Sequence, residues 1–328
     1  MNIGKIPETI LKRSVLNQIR HKRDEVLLGP MVGEDCSMVN LNNDEVLIMS
    51  TDPITGISED TITIGIHVTA NNIASGGGEV IGIMLSILLP EETLEKELKS
   101  FMHKVEIVCE QLHIDVLGGH TEVTNAVNQP VITITGIGKI KRDSLIKKRD
   151  TLSCHEIVMT KWAGLEGTAI IAKGKEKDLL NRYSLSFINK AQDMLKYISI
   201  IPEAKIAKNT GVASMHDIRR GGIFGALWEI GATLKVGLEV DLKKIQLKQE
   251  TVEICEFFDL NPYMLTSSGS MLIVTDNANY LVNQLMEAGI MASVIGYIKE
   301  GNDRIVINQG ERRYLEPPKS DEIYKVIC

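Results

Sequence analysis

Four short clusters rich in acids or glycines hold the residues best suited to chemistry, and each lies where an apolar run ends or a helix begins. Gly33-Glu34-Asp35-Cys36 sets two carboxylates side by side in a turn, either to hold a cation or to face water. Ser50-Thr51-Asp52 follows an apolar run. A hydroxyl and a carboxylate at a strand end suit Mg²⁺, which takes few protein ligands and completes its shell with water and phosphate oxygens. Asp52 can equally cap the next turn. In Gly118-Gly119-His120-Thr121-Glu122, paired glycines let backbone N–H groups approach phosphate closely and Thr121 adds a donor. Gly-Gly also makes an ordinary bulge or turn, and His120 is either a base or a packed side chain. Met215-His216-Asp217-Ile218-Arg219-Arg220-Gly221-Gly222 opens a helix near Ile223. Asp217 there is a metal ligand or a helix cap. Arg219 or Arg220 can pair with phosphate, and the glycines bare a helix N-terminus to an anion.

The elements that must position these clusters can be read from periodicity. Glu45–Ser50 has strand length, and Asp60–Ser75 has helical spacing through Ile64, Val68 and Ile73 until Gly76–Gly78 stop it. Val80–Leu89 reads as a buried strand. Glu91–Leu112 reads as an amphipathic helix with Leu94, Leu98, Phe101, Val105, Val108 and Leu112 on one face. Ile114–Leu117 leads into the paired glycines, and Val131–Thr135 is a β-branched strand. The charged stretch Lys139–Asp150 marks a boundary, dividing the chain into residues 1–150 and 151–328. The second part predicts helices over Gly164–Lys173, Phe187–Ser199 and Gly221–Thr233. It predicts strands over Ile157–Thr160, Gly237–Asp241, Met271–Thr275, Ala292–Ile298 and Arg304–Ile307. Strands and helices without a strict βαβα rhythm indicate an α+β class.

The 328 residues suffice for two domains, each with its own core. A net charge of −7 repels phosphate backbones, so no nucleic-acid partner is expected. The start does not read as a signal peptide, and the longest apolar run is too short to cross a bilayer, so no membrane is expected. Five scattered cysteines without a CxxC pair fit a reducing, cytoplasmic setting. Cys109 and Cys255, within apolar helical patterns, read as core, and Trp162 and Trp228 as packing residues.

In this order, the segments GEDCS, STD, ANNIASGGGE, GGHTEVT, TGIGKI, GLEGTAI and MHDIRRGGIFGAL resemble the superfamily of aminoimidazole ribonucleotide (AIR) synthase and HypE proteins. The resemblance implies a two-domain PurM-like α+β fold whose N-terminal sheet dimerises into a barrel. It implies ATP and Mg²⁺, with Asp35 and Asp52 on the metal. Ser50, Thr51, Asn72, Gly118, Gly119, Thr121 and Arg220 would then attend the nucleotide, and Asp217 and His120 would join the chemistry. The chain departs from the family at Asn71-Asn72, where Asn-Asp is usual, at His120, where an acid is frequent, and at Ser267-Ser268-Gly269, which lacks a glutamate. HypE proteins end in Pro-Arg-Ile-Cys, and Ile327-Cys328 matches the last two of these residues. The likeness implies that Cys328 carries a carbamoyl group, which ATP-driven dehydration turns into a thiocyanate. The implied partners are a second copy of the chain, a small-molecule or carbamoyl substrate, and a hydrogenase-maturation protein. The other readings are a different ATP-dependent AIR synthase-related enzyme, a small-molecule kinase resembling thiamine-monophosphate kinase, and a non-catalytic nucleotide-binding protein.

Overall fold

The computed structural model describes residues 8–9, 12, 26–28, 31–33, 36–40, 44–56, 58–146, 155–318 and 320–327. The chain forms two compact units. One is built around Asp35–Leu145. The other is built around the residues from Ile146 onward, together with the described residues Glu8 and Met31–Gly33 near the start. The predicted α+β class holds for both.

The N-terminal unit is a six-stranded sheet of β1 (Val26–Leu28), β2 (Ser37–Asn40), β3 (Glu45–Thr55), β4 (Glu79–Leu89), β5 (Asp115–Val123) and β6 (Val131–Lys141). Their order is β1-β2-β3-β6-β4-β5, and only the β4–β5 pair is parallel. Helices α1 (Glu59–Ser75) and α2 (Glu95–Leu112) cover one face. Ile62 and Ile66 of α1 and Phe101, Val105 and Val108 of α2 meet Ile83, Leu85, Ile87, Ile132 and Ile134 there. The strict alternation along β6, every second residue buried, is what a sheet covered on one side requires.

Two strands run further than periodicity predicts. The Glu45–Ser50 strand continues through Thr51, Asp52 and Pro53 to Thr55, because the eleven-residue β6 pairs with it along its whole length. Pro53 is tolerated because β2 reaches only Met49, so the missing N–H lies where β3 has no described partner on that side. The paired glycines lie within β5 rather than in a loop after it. A Cβ at Gly119 would sit 2.0 Å from the Leu85 carbonyl oxygen, so only glycine permits this approach of β4 and β5.

The C-terminal unit holds a seven-stranded sheet of β7 (Glu156–Thr160), β8 (Ser214–Ile218), β9 (Gly237–Asp241), β10 (Ser270–Thr275), β11 (Ala292–Lys299), β12 (Arg304–Asn308) and β13 (Glu311–Tyr314). The order is β13-β12-β9-β11-β7-β10-β8, antiparallel except for β12–β9. Its helices are α3 (Leu165–Gly174), α4 (Glu176–Leu179), α5 (Leu185–Gln192), α6 (Ile201–Asn209), α7 (Gly222–Leu234), α8 (Gln249–Phe257) and α9 (Ala278–Glu287). The predicted helix Phe187–Ser199 is α5 followed by a tighter turn over Asp193–Tyr197. Helices α6 and α9 and strand β8 carried no strong periodicity. The first three residues of the charged boundary stretch, Lys139–Lys141, are the end of β6, Arg142–Ser144 form a tight helical turn, and Lys147–Asp150 lie outside the described residues.

Cys109 and Cys255 are buried in α2 and α8, as their apolar settings predict. Burial pushes the Cys109 thiol up to about 11 and the Cys255 thiol up to about 12, so both stay protonated and inert at neutral pH. No helix among the described residues is long and apolar enough to cross a membrane.

Candidate functional site

Glycines decide how α1 lies on its sheet. A Cβ at Gly136 of β6 would come within 2.7 Å of Thr69 Cγ2, and one at Gly138 within 2.6 Å of Ile73 Cγ2. With no side chain there, the last two turns of α1 settle low on the strands. That brings Asn72, in the final turn, onto β3. Its Nδ2 donates to Ser50 Oγ at 2.9 Å and to Asp52 Oδ2 at 2.7 Å. The Cys36 thiol donates to the Asn72 carbonyl at 2.8 Å. Ser50, Asp52 and Asn72 thus form one polar cluster on the helix-covered face, with Ser50 and Asn72 buried.

Alternation along the strands separates other residues from this cluster. Thr51 points to the opposite face, where its Oγ1 meets Thr135 Oγ1 at 3.0 Å across the β3–β6 pair. Gly118, Gly119, His120 and Thr121 belong to β5, and two strands intervene between β5 and β3. At the usual strand spacing that is about 14 Å. His120 is exposed, and its Nε2 lies 3.2 Å from Glu122 Oε2, two residues along the same face. Asp35 lies outside the described residues.

The donor set limits what the cluster can hold. Asp52 supplies one carboxylate and Ser50 one hydroxyl, both hard oxygens that suit Mg²⁺. Asn72 presents its N–H₂ side to both, where a second carboxylate would present oxygen. No group of three or more His, Cys, Asp or Glu side chains able to hold a metal occurs among the described residues. Among the described residues, the arrangement therefore fits a single ion that takes most of its shell from water and phosphate.

In the C-terminal unit, Asp217 lies within β8, opposite Met271 of β10, and is 1% exposed. It is a buried strand residue and not a helix cap. A buried charged group sits near it. Lys161, just after β7 and in left-handed backbone conformation, donates its Nζ to the carbonyls of Tyr197 at 2.8 Å and Ser199 at 2.6 Å. Its Nζ is also 2.5 Å from Glu203 Oε1 of α6. Burial pushes the Lys161 ammonium down, and the carboxylates of Glu203 and Asp217 oppose that shift.

The glycine-rich start of α7 is not bare. The Gly221 N–H donates to Asp321 Oδ2 at 2.6 Å, so an acid of the chain itself takes the anion position at this helix N-terminus. Arg220, beside it, is exposed. The Thr266–Gly269 loop, which includes the segment lacking the family glutamate, is held by a different acid. Glu166 of α3 accepts from Thr266 Oγ1 at 2.8 Å and from the Ser268 N–H at 3.3 Å. Sequence reasoning missed Lys161, Glu203, Glu166 and Asp321 as site residues. Glu166 lay within the quoted GLEGTAI, but the other three carried no local signal. Cys328 lies outside the described residues.

Comparison with known proteins places these features in one frame. Residues 33–140 match the model of the AIR synthase related protein N-terminal domain, and residues 155–308 match that of the C-terminal domain. A protein of Methanocaldococcus jannaschii, provisionally named as a hydrogenase expression/formation protein, is 22% identical over 98% of this chain and 97% of its own. Carbamoyl dehydratase HypE of Cupriavidus necator is 23% identical over 70% of this chain, a match spanning 65% of the relative. Among solved structures, a HypE–HypF complex is similar at TM-score 0.74 and 16% identity, covering 94% of this chain and 99% of that one. HypE in complex with ATP is similar at TM-score 0.72 and 18% identity, covering 96% and 95%. AaThiL complexed with AMPPCP and TMP is similar at TM-score 0.73 and 19% identity, covering 95% and 96%. These likenesses bear out the two-domain fold. With both halves matched in order by the two domain models of one family, the chain belongs to the AIR synthase related family.

Proposed function

We propose that this chain is an ATP-binding enzyme of HypE type, which dehydrates a carbamoylated Cys328 to a thiocyanate. The observation that carries the reading is the end-to-end similarity to a protein with a hydrogenase expression/formation name. The Ile327-Cys328 match and the similarity to an ATP-bound HypE support it. In this reaction the carbamoyl oxygen takes the γ-phosphoryl group of ATP and then leaves as phosphate. Loss of the two amide protons leaves S–C≡N, with ADP and phosphate as the other products.

The chain's own residues bind and orient. Asp52 and Ser50 would hold one Mg²⁺, whose positive charge neutralises phosphate oxygens. Gly118, Gly119, Thr121 and Arg220 remain proposed nucleotide contacts. Of the proposed proton carriers, His120 is open to solvent and paired with Glu122, whereas Asp217 is buried.

Asp52→Asn keeps the shape of the cluster and removes its only described negative charge. ATP affinity measured by calorimetry in Mg²⁺ is expected to fall roughly tenfold to a hundredfold, the range for losing a charged hydrogen-bonding partner. Equal affinity for wild type and variant, with and without Mg²⁺, would remove the cation from the scheme.

A homodimer through the N-terminal sheet belongs to the same proposal. All nine residues of β5 are exposed, and Ile81 and Met84 of β4 are exposed on the face that α1 and α2 leave open. A nine-residue edge strand that exposes Val116, Leu117 and Val123 calls for a partner. Sedimentation at micromolar concentration is expected to show a dimer that Met84→Lys splits into monomers. A wild-type monomer would count against the interface. A hydrogenase-maturation protein is the proposed further partner, on the likeness to the HypE–HypF complex.

A further inference from the structure

The backbone of Asn72 is anchored on three sides. Its carbonyl accepts from the Cys36 thiol at 2.8 Å, from Ser75 Oγ at 2.9 Å and from the Gly76 N–H at 3.2 Å. The chain leaving α1 lies close on β3, since a Cβ at Gly76 would come within 2.5 Å of Ile48 Cδ1 and one at Gly78 within 2.6 Å of Ile48 Cγ2. Asn72 itself is 1% exposed. Its side chain therefore has a fixed place against Ser50 and Asp52.

The amide is oriented by what it faces. A carboxylate oxygen accepts and cannot donate, so Asn72 turns Nδ2 to Asp52 and not Oδ1. That nitrogen carries two protons, and its two described acceptors, Ser50 Oγ at 2.9 Å and Asp52 Oδ2 at 2.7 Å, take one each. A double donor between two hard oxygens holds them together as a bridging cation would. A carboxylate has nearly the shape of the amide and the opposite effect. It would set oxygen against Ser50 and Asp52 at the same short distances. Two carboxylates so close do not both stay ionised unless a cation lies between them. The helix adds to this, because the C-terminal end of α1 carries partial negative charge and its last turn holds no basic residue.

We propose that Asn72 is a specificity-determining residue of the cation site: its amide takes the place of an additional divalent ion between Ser50 and Asp52. The cluster is then complete without metal in the protein alone, and the one ion that does bind enters with phosphate. Entry with phosphate rests on the ATP-binding reading, and the replacement of an ion by the amide does not.

Counting bound Mn²⁺ by electron paramagnetic resonance on the full-length protein tests the replacement. Without nucleotide, Asn72→Asp is expected to bind one Mn²⁺ per chain, roughly tenfold or more tightly than the wild type binds any, because a second anionic oxygen ligand has been added. With AMPPCP, the wild type is expected to hold one Mn²⁺ per nucleotide and the variant two. Exchanging the pair, Asp52→Asn with Asn72→Asp, restores one acid and one amide and is expected to lose the additional ion. Thermal unfolding without nucleotide gives a second readout. The wild type should melt at the same temperature in EDTA and in Mg²⁺, whereas Asn72→Asp should melt about 5 °C lower in EDTA and recover in Mg²⁺. Equal Mn²⁺ counts and affinities for wild type and Asn72→Asp overturn the inference, as does an exchanged pair that keeps the additional ion. So does a wild type that Mg²⁺ alone stabilises by several degrees, a measurement that stands even if the variant does not fold. If no form binds AMPPCP, the ATP-binding reading fails and the nucleotide-free counts still decide the role of Asn72.

Discussion

Cys328→Ala abolishes carbamoyl-dependent ATP turnover and leaves ATP affinity unchanged. This is the expected result if the thiol is itself the substrate, because the proposed nucleotide contacts lie elsewhere in the chain. A covalent acceptor has no substitute, so the loss is complete and not a fractional slowing. Mass spectrometry of the carbamoylated C-terminal peptide should show the loss of one water when ATP is added to the wild type. Calorimetry should report the same ATP binding for both proteins. Full turnover by the alanine variant would eliminate the HypE-type reaction. A kinase-like activity on a free small molecule would then be the reading to pursue.

The second large effect concerns stability. Lys161 and Glu203 form a buried ion pair, with side chains 8% and 2% exposed. Two backbone carbonyls share the ammonium. Glu203→Leu removes the carboxylate in direct contact with that buried ammonium, which costs about 3–5 kcal/mol when one partner of such a pair is removed. At roughly 2–4 °C per kcal/mol for a unit of this size, the melting temperature should drop by about 10 °C. Replacing both partners, Lys161→Met with Glu203→Leu, should recover most of the loss, since an apolar pair avoids the desolvation of two ions. The pH dependence has a definite sign. Burial already pushes Lys161 below its ordinary value, and without Glu203 the folded-state pKa falls further. Over the interval between that lowered pKa and the ordinary lysine value, the unfolded chain binds more protons than the folded one. The variant must therefore gain stability as the pH rises through that window. A single variant as stable as the wild type, or one that loses stability as the pH rises through that window, would show that the pair does not act as described.

The same cluster orders neighbouring loops. The carbonyls that Lys161 binds, Tyr197 and Ser199, flank Ile198, on which Gly269 rests so closely that a Cβ would meet the Tyr197 oxygen at 2.7 Å. Glu166 and Asp321 hold the other end of that loop at Thr266. Three buried acids and one lysine therefore set the path of the segment that lacks the family glutamate.

What the amino-acid sequence determined alone is the local and the periodic. The 3- and 4-residue spacing of Phe101, Val105 and Val108 dictated α2, and these three with Cys109 are its buried positions. The glycines after Ser75 ended α1, and Gly237–Asp241 was legible to the residue. The ordered motifs identified the family, because each reflects a short-range requirement for an acid, a hydroxyl or an absent side chain. Tertiary structure decided which of these residues meet. A strand turns successive side chains to opposite faces, so Ser50 and Asp52 join Asn72 while Thr51 between them cannot. That separation depends on β3 continuing past Ser50, and only its pairing with β6 dictates the continuation. Lys161 with Glu203, Gly221 with Asp321 and Thr266 with Glu166 are brought together across 42, 100 and 100 positions of chain. No periodicity extends over such distances. The buried charge that each contact satisfies exists only once packing has excluded water around it.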